Sequence, residues 1–292
     1  FIKNYLCYYV GMDFKEGIHY SKFSEQGDPL LFLHANAYTP DCYRPLLTPF
    51  MDQYNVFAFK LRAIWPKSNL ADVSSWMDFV ADCDAFLEEQ SLRDIVGMGH
   101  SIGAVMTLLL EIIQPGRFKH IVLLDPVLFP FSNQLGLLIF KLIIGHLRFV
   151  KKTYERQVLF ASIDDVFQHY RTKKIFKFID DANLTIICQS LFKKTDQGVE
   201  LIQTPEWEAK IYKIGGLSYP FLWKNINKIK CPILLLAGEH SHICKVKEIQ
   251  KLSFLASKFD YKILDQSSHL LPFEAPLKNV EYIKLFLSST YK

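Results

Sequence analysis

At 292 residues, half of them hydrophobic, 14% aromatic and only 22% charged, the chain has the composition of a protein with a large buried core, not of a disordered one. Its net charge of +4 comes with no nucleic-acid-binding motif, and its six cysteines show neither a C-x-x-C pair nor regular spacing. That argues against a disulfide framework and against a zinc or other metal site, and for reduced cysteines in a cytoplasmic protein.

The charge is unevenly spread. Residues 127–230 carry 16 Lys and Arg against 9 Asp and Glu, and the rest of the chain 18 against 21. A basic middle most simply means a solvated helical surface, and it also allows weak contact with an anionic membrane surface. No apolar run reaches the roughly 18–20 residues that span a bilayer. The nearest, 135–144, is interrupted by Lys141. The first dozen residues open with Phe1 and are followed by no small-residue cleavage site. Nothing in the composition implies a cofactor or an oligomeric state.

In chain order, strands are predicted at 18–23, 29–34, 55–61, 94–99, 120–125, 232–238 and 261–264. Helices are predicted at 73–90, 101–113, 245–258 and 277–287. Several strands are unbroken apolar runs (LLFL, IVLL, ILLL), as expected of parallel strands covered on both faces. The first helix carries Trp76, Phe79, Val80, Cys83 and Leu87 close to an i, i+3, i+4, i+7 stripe. Strands alternating with helices specify an α/β fold with a mostly parallel sheet. The stretch 127–227 breaks this rhythm, with no strong strand and helix-like runs rich in Phe, Leu, Ile and Lys. The organisation expected is a core of 1–126 and 228–292 interrupted by an inserted helical cap over 127–227. Within the cap, Phe131, Leu137, Leu138, Phe140, Leu142 and Ile143 suggest an apolar pocket for an acyl group. Each of them alone would serve equally well in packing cap helices on the sheet.

One motif carries chemistry. Gly99-His100-Ser101-Ile102-Gly103 is a G-x-S-x-G with an apolar strand before it and an apolar helix after it, the context in which the pattern is informative. A sharp strand-to-helix turn there pushes Ser101 Oγ out at the sheet edge, and glycines two before and two after let strand and helix pass closely. The helix N-terminus adds N–H donors and partial positive charge where an oxyanion would form. His269, in Ser268-His269-Leu270 after the last predicted strand, lies where a general base would face Ser101. The two oxyanion-hole donors expected are the N–H groups of Ile102, next to the serine, and of Asn36, in the turn after the strand ending at His34. His34 itself is expected to tie loops together through its ring.

With these pieces placed, the sequence resembles the α/β-hydrolase superfamily over essentially its whole length. The matching elements are His34-Ala35-Asn36, Gly99 to Gly103, Leu123-Leu124-Asp125-Pro126, the strand at 232–238, and Ser268-His269-Leu270. The resemblance implies the α/β-hydrolase fold, a mostly parallel central sheet flanked by helices with the inserted cap. It also implies a Ser-His-acid mechanism, and it names no substrate. Two departures stand out. The first loop reads His-Ala where relatives have His-Gly. In addition, the loop after the strand 232–238, where relatives usually carry the triad acid, reads Gly238-Glu239-His240-Ser241-His242. The acid is then absent or supplied elsewhere. Some relatives place it at the strand end matching Asp125, which is taken as the acid here, with Glu239 as the alternative.

A serine nucleophile favours acyl transfer to water from a small apolar ester or thioester through an acyl-enzyme. The rival expectations are an acyltransferase of the same fold and a catalytically silent binding module.

Overall fold

The computed structural model describes residues 13–130, 136 and 148–289. The candidate pocket residues at 131 and 137–143, and the apolar run at 135–144, lie outside these apart from Gly136. Ten strands occur among the described residues: β1 Tyr20–Lys22, β2 Asp28–Leu33, β3 Tyr54–Phe59, β4 Ile95–His100, β5 Phe118–Leu124, β6 Leu159–Phe160, β7 Phe192–Thr195, β8 Gly198–Leu201, β9 Ile233–Gly238 and β10 Phe259–Leu264. Seven of them form one sheet in the order β1-β3-β2-β4-β5-β9-β10. All its pairings are parallel except β1 on β3.

The apolar runs work as two-sided strands. In β2, Leu31 and Leu33 enter the core on one face while Leu30 and Phe32 enter the core on the other. In β5, Ile121 and Leu123 divide from Val122 and Leu124 in the same way, and in β9 Ile233 and Leu235 divide from Leu234 and Leu236. The period of two sends alternate side chains to opposite faces. Each fully buried Leu then contributes about 2 kcal/mol by leaving water. The helix Trp76–Glu89 starts at a capping box, with Ser75 Oγ accepting from the Met77 N–H and the Asp78 carboxylate accepting from the Ser75 N–H.

β5 ends at Leu124 and β9 begins at Ile233, so the sequence between them is an insertion in the sheet. Its described part is mostly helical, with helices Arg148–Thr153, Ile163–Arg171, Asp181–Leu191, Pro205–Ile214 and Tyr219–Asn225. It also holds a three-stranded antiparallel sheet, β6-β8-β7, in a stretch whose sequence suggests no strong strand. These strands are two to four residues long, and β7 reads Phe-Lys-Lys-Thr, three of its four residues exposed. Such a segment lacks the buried alternation that marks a strand in sequence. The small sheet does not extend the main one.

Candidate active site

β4 runs into the helix Ile102–Ile113 through Ser101, which sits at φ 58° and ψ −115°. This is a left-handed φ that a non-glycine residue adopts only where the surroundings force it. The flanking glycines leave the room this tight turn needs. A Cβ on Gly99 would lie 2.4 Å from the backbone of Gly103, and one on Gly103 would lie 2.0 Å from the Leu33 carbonyl oxygen. Both contacts are far inside van der Waals range, so the helix can approach β4 and the end of β2 only with glycine at both places.

The loop after β10 brings His269 to this turn. His269 Nε2 lies 3.0 Å from Ser101 Oγ, and His269 Nδ1 lies 2.6 Å from Asp125 Oδ2. A carboxylate only accepts, so Nδ1 carries the proton, Nε2 is left as an acceptor, and the Ser101 hydroxyl donates to it. Asp125 follows β5 at φ 41° and is completely buried. Its charge is met by three donors: the His269 ring, the Gly238 N–H at 3.0 Å and the Ser241 hydroxyl at 2.6 Å. A buried carboxylate needs partners of this kind. Ser241, in the loop where relatives usually carry the acid, thus faces the Asp125 oxygen that His269 uses. Glu239 is half exposed, and its carboxylate accepts from the Gln266 N–H at 3.1 Å and lies 3.8 Å from the His240 ring.

Several contacts missed in sequence fix the His269 loop. A Cβ on Gly238 would lie 2.3 Å from the Ser268 carbonyl oxygen, so this glycine allows the loop to cross the end of β9. The Glu274 carboxylate accepts from both the N–H and the hydroxyl of Ser268, each at 2.6 Å. Burial pushes the Glu274 carboxyl above the usual carboxylate range. His100, inside the G-x-S-x-G motif, donates from Nε2 to the His269 carbonyl oxygen at 2.8 Å. Its Nδ1 then accepts from the Tyr43 hydroxyl at 2.7 Å, and that hydroxyl accepts from the Ala35 N–H at 3.1 Å. Burial, followed by the neighbouring His269, holds the His100 ring well below the usual imidazole range, so it is neutral. No sequence signal marks Tyr43, since its partners lie 8 and 57 residues away.

His34 and Asn36 follow β2. The His34 ring accepts from the Leu61 N–H at 3.0 Å and donates to the Ala35 carbonyl at 2.8 Å. Burial lowers its pKa to about 4. Ile102 and Asn36 are both buried. Among the described residues, neither backbone N–H has a hydrogen-bond acceptor in the chain. For Ile102 that follows from its being the first residue of the helix.

A serine, an imidazole and a carboxylate thus lie in hydrogen-bonded series at the strand ends of a mostly parallel sheet flanked by helices, and that sheet is the fold of the α/β hydrolases. The chain is a member of the alpha/beta hydrolase family, whose model matches residues 30–281. A type I acyl-CoA thioesterase of Penicillium brevicompactum is 29% identical over a stretch covering 35% of this chain and 27% of that protein. The chain therefore spans little more than a quarter of the length of that relative. Among solved structures, E-2-(acetamidomethylene)succinate hydrolase superposes with a TM-score of 0.75 at 17% identity, covering 92% of this chain and 94% of that one. MenH from S. aureus gives 0.71 at 21% identity, covering 92% and 97%. The thioesterase domain from the curacin biosynthetic pathway gives 0.68 at 18% identity, covering 91% and 94%. At these identities the likeness is one of fold. No helix among the described residues is long and apolar enough to cross a membrane.

Proposed function

We propose that this protein is a serine hydrolase that cleaves a carboxylic ester or thioester with an apolar moiety through an acyl-enzyme on Ser101. What supports this above all is the unbroken series Ser101 Oγ, His269 ring, Asp125 carboxylate, at 3.0 and 2.6 Å. Ser101 Oγ attacks the carbonyl carbon as its proton passes to His269 Nε2, and the imidazolium formed is stabilised by Asp125. The carbonyl oxygen becomes an oxyanion, for which the N–H groups of Asn36 and Ile102 and the helix N-terminus are the donors. The tetrahedral adduct collapses, and the alcohol or thiol leaves with the proton from His269. Water, deprotonated by the same ring, then attacks the acyl-enzyme and releases the acid.

A thioester is the version favoured by the likeness to the acyl-CoA thioesterase of Penicillium brevicompactum. An acyltransferase would run the first half identically and pass the acyl group to an alcohol in place of water. The experiment is labelling with a fluorophosphonate together with hydrolysis of p-nitrophenyl esters and acyl-CoA thioesters of increasing chain length. The expected result is stoichiometric labelling abolished by Ser101→Ala, with rates that rise with acyl length. A wild-type protein that takes no label and hydrolyses neither series would be a binding module instead.

A further inference from the structure

We propose that Gln203, a residue of the insertion, sets the shape of the turn that carries Asn36 and is thereby a positioning residue for the oxyanion hole. This rests on the serine-hydrolase reading above.

Residues Ala35 to Tyr38 form a β-turn closed by the Tyr38 N–H on the Ala35 carbonyl at 3.3 Å. Ala37 is its third residue and has φ 67°, while Asn36 has a negative φ. That pattern is a type II turn, which favours glycine at the third position, and here the position is filled by alanine. The alternative, a type I turn, needs no positive φ and differs by a flip of the Asn36–Ala37 peptide. Something outside the turn must hold that peptide in its disfavoured orientation.

Gln203 is the group in place to do so. It is buried, 4% exposed, and both ends of its amide are used on this turn. Its Oε1 accepts from the Ala37 N–H at 3.2 Å, and its Nε2 donates to Asn36 Oδ1 at 2.6 Å. Asn36 Nδ2 in turn donates to the Glu208 carbonyl, also in the insertion, at 3.1 Å. The direction of every bond is fixed. The Ala37 N–H can only donate and the Glu208 carbonyl can only accept, so neither amide can be flipped without breaking a bond. A peptide flip would bring the Asn36 carbonyl against Gln203 Oε1, acceptor against acceptor. The insertion therefore grips the turn at both its backbone and its side chain and so fixes the conformation of Asn36, whose own N–H lies on the adjoining Ala35–Asn36 peptide.

The test uses the full chain and two variants. Gln203→Leu removes both bonds. Gln203→Glu keeps the size and the acceptor for Ala37 but, once ionised, has no donor for Asn36, and it covers the case in which the leucine variant does not fold. Measured are kcat and KM on a p-nitrophenyl ester, the rate of fluorophosphonate labelling of Ser101, and amide hydrogen exchange in peptides covering 35–38 and 95–103. Removal of one oxyanion-hole donor typically costs about 10²–10³ in kcat. The expected result for Gln203→Leu is a kcat about 10²-fold lower, KM within about threefold, and labelling slowed in parallel. Exchange should be faster at 35–38 and unchanged at 95–103, with the glutamate variant between leucine and wild type. Labelling of wild type combined with kcat and exchange unchanged in both variants overturns this proposal alone. A KM rise at constant kcat overturns it too, because Gln203 would then serve substrate binding. No labelling of wild type overturns the serine-hydrolase reading and the catalytic part of this proposal, while exchange at 35–38 still decides whether Gln203 holds the turn.

Discussion

Asp125 Oδ2 lies 2.6 Å from His269 Nδ1, although the two residues are 144 positions apart and Asp125 follows β5, not β9. The pairing is possible because β5 and β9 are parallel neighbours, with Leu124 level with Leu236, so the residue after Leu124 reaches the end of β9 where the His269 loop crosses. On the proposed mechanism, Asp125→Asn leaves the fold intact and lowers kcat by roughly 10⁴-fold, the size of the effect in the best-studied triad. Glu239→Gln, at a half-exposed carboxylate bonded to Gln266, changes kcat by no more than a few-fold. Steady-state kinetics of the two variants on one ester is the measurement. The reverse pattern would assign the acid to Glu239.

Tyr43 is the point where the turn after β2 and the His269 loop are joined. Tyr43→Phe leaves the buried His100 Nδ1 without its donor and the Ala35 N–H without its acceptor. An unpaired buried polar group costs about 1–3 kcal/mol, so a destabilisation of ~2–4 kcal/mol is expected in urea unfolding. Because His100 also holds the His269 carbonyl, kcat should fall by roughly tenfold. Tyr261→Phe, on an exposed ring of β10, should change stability by less than about 0.5 kcal/mol.

Each of the seven main-sheet strands overlaps a sequence-predicted one, and the reason is visible in β5 and β9. Runs such as Ile121 to Leu124 bury both faces, and they are too short and too rich in β-branched and aliphatic residues to read as helices. Ser101 and His269 could be picked out because their neighbours must be glycines or must follow the last strand. Asp125 is legible as the candidate acid only because Ser241 and His242 carry no carboxylate and because some relatives place their acid at the matching strand end. Gln203, Tyr43 and Gly238 gave no signal, because what they do depends on residues brought near by the fold: Ala37, His100 and Ser268. The strands β6 to β8 were missed because Lys193 and Lys194 face water, where no hydrophobic alternation is needed.

Acid sensitivity should trace in part to His34. Burial lowers its pKa to about 4 in the folded protein, against about 6.5 in an unfolded chain. As pH falls below 6.5 the unfolded chain takes up a proton that the folded one refuses, so the contribution is fully present above 6.5 and is lost progressively down to about 4. Its full size is on the order of 3 kcal/mol. Urea unfolding from pH 7.5 to 4.5 should show stability declining across that window. In His34→Gln, less stable at pH 7.5 through loss of the Leu61 and Ala35 bonds, the decline should be shallower by up to one proton. Parallel slopes in the two proteins would remove His34 from the account.

The last prediction asks whether the acid can be moved. Ser241 Oγ is 2.6 Å from the Asp125 oxygen that His269 uses, and Ser241 stands in the loop where relatives usually carry their acid. A carboxylate at position 241 would therefore start close to the His269 Nδ1–H. In the wild-type background Ser241→Asp sets two carboxylates against each other in a buried site, which raises the pKa of one and destabilises the fold. In the Asp125→Asn background the repulsion is gone, and the amide can donate to the new carboxylate as well as accept from the Gly238 N–H. The expected outcome is that Ser241→Asp alone is less stable than wild type. The double variant Asp125→Asn, Ser241→Asp should recover at least about tenfold of the kcat lost in Asp125→Asn. Recovery would show that the His269 ring needs a negative acceptor at Nδ1 more than it needs the strand that supplies it. No recovery in a folded double variant would mean that the three donors around Asp125, and the buried position after β5, cannot be reproduced from the loop after β9.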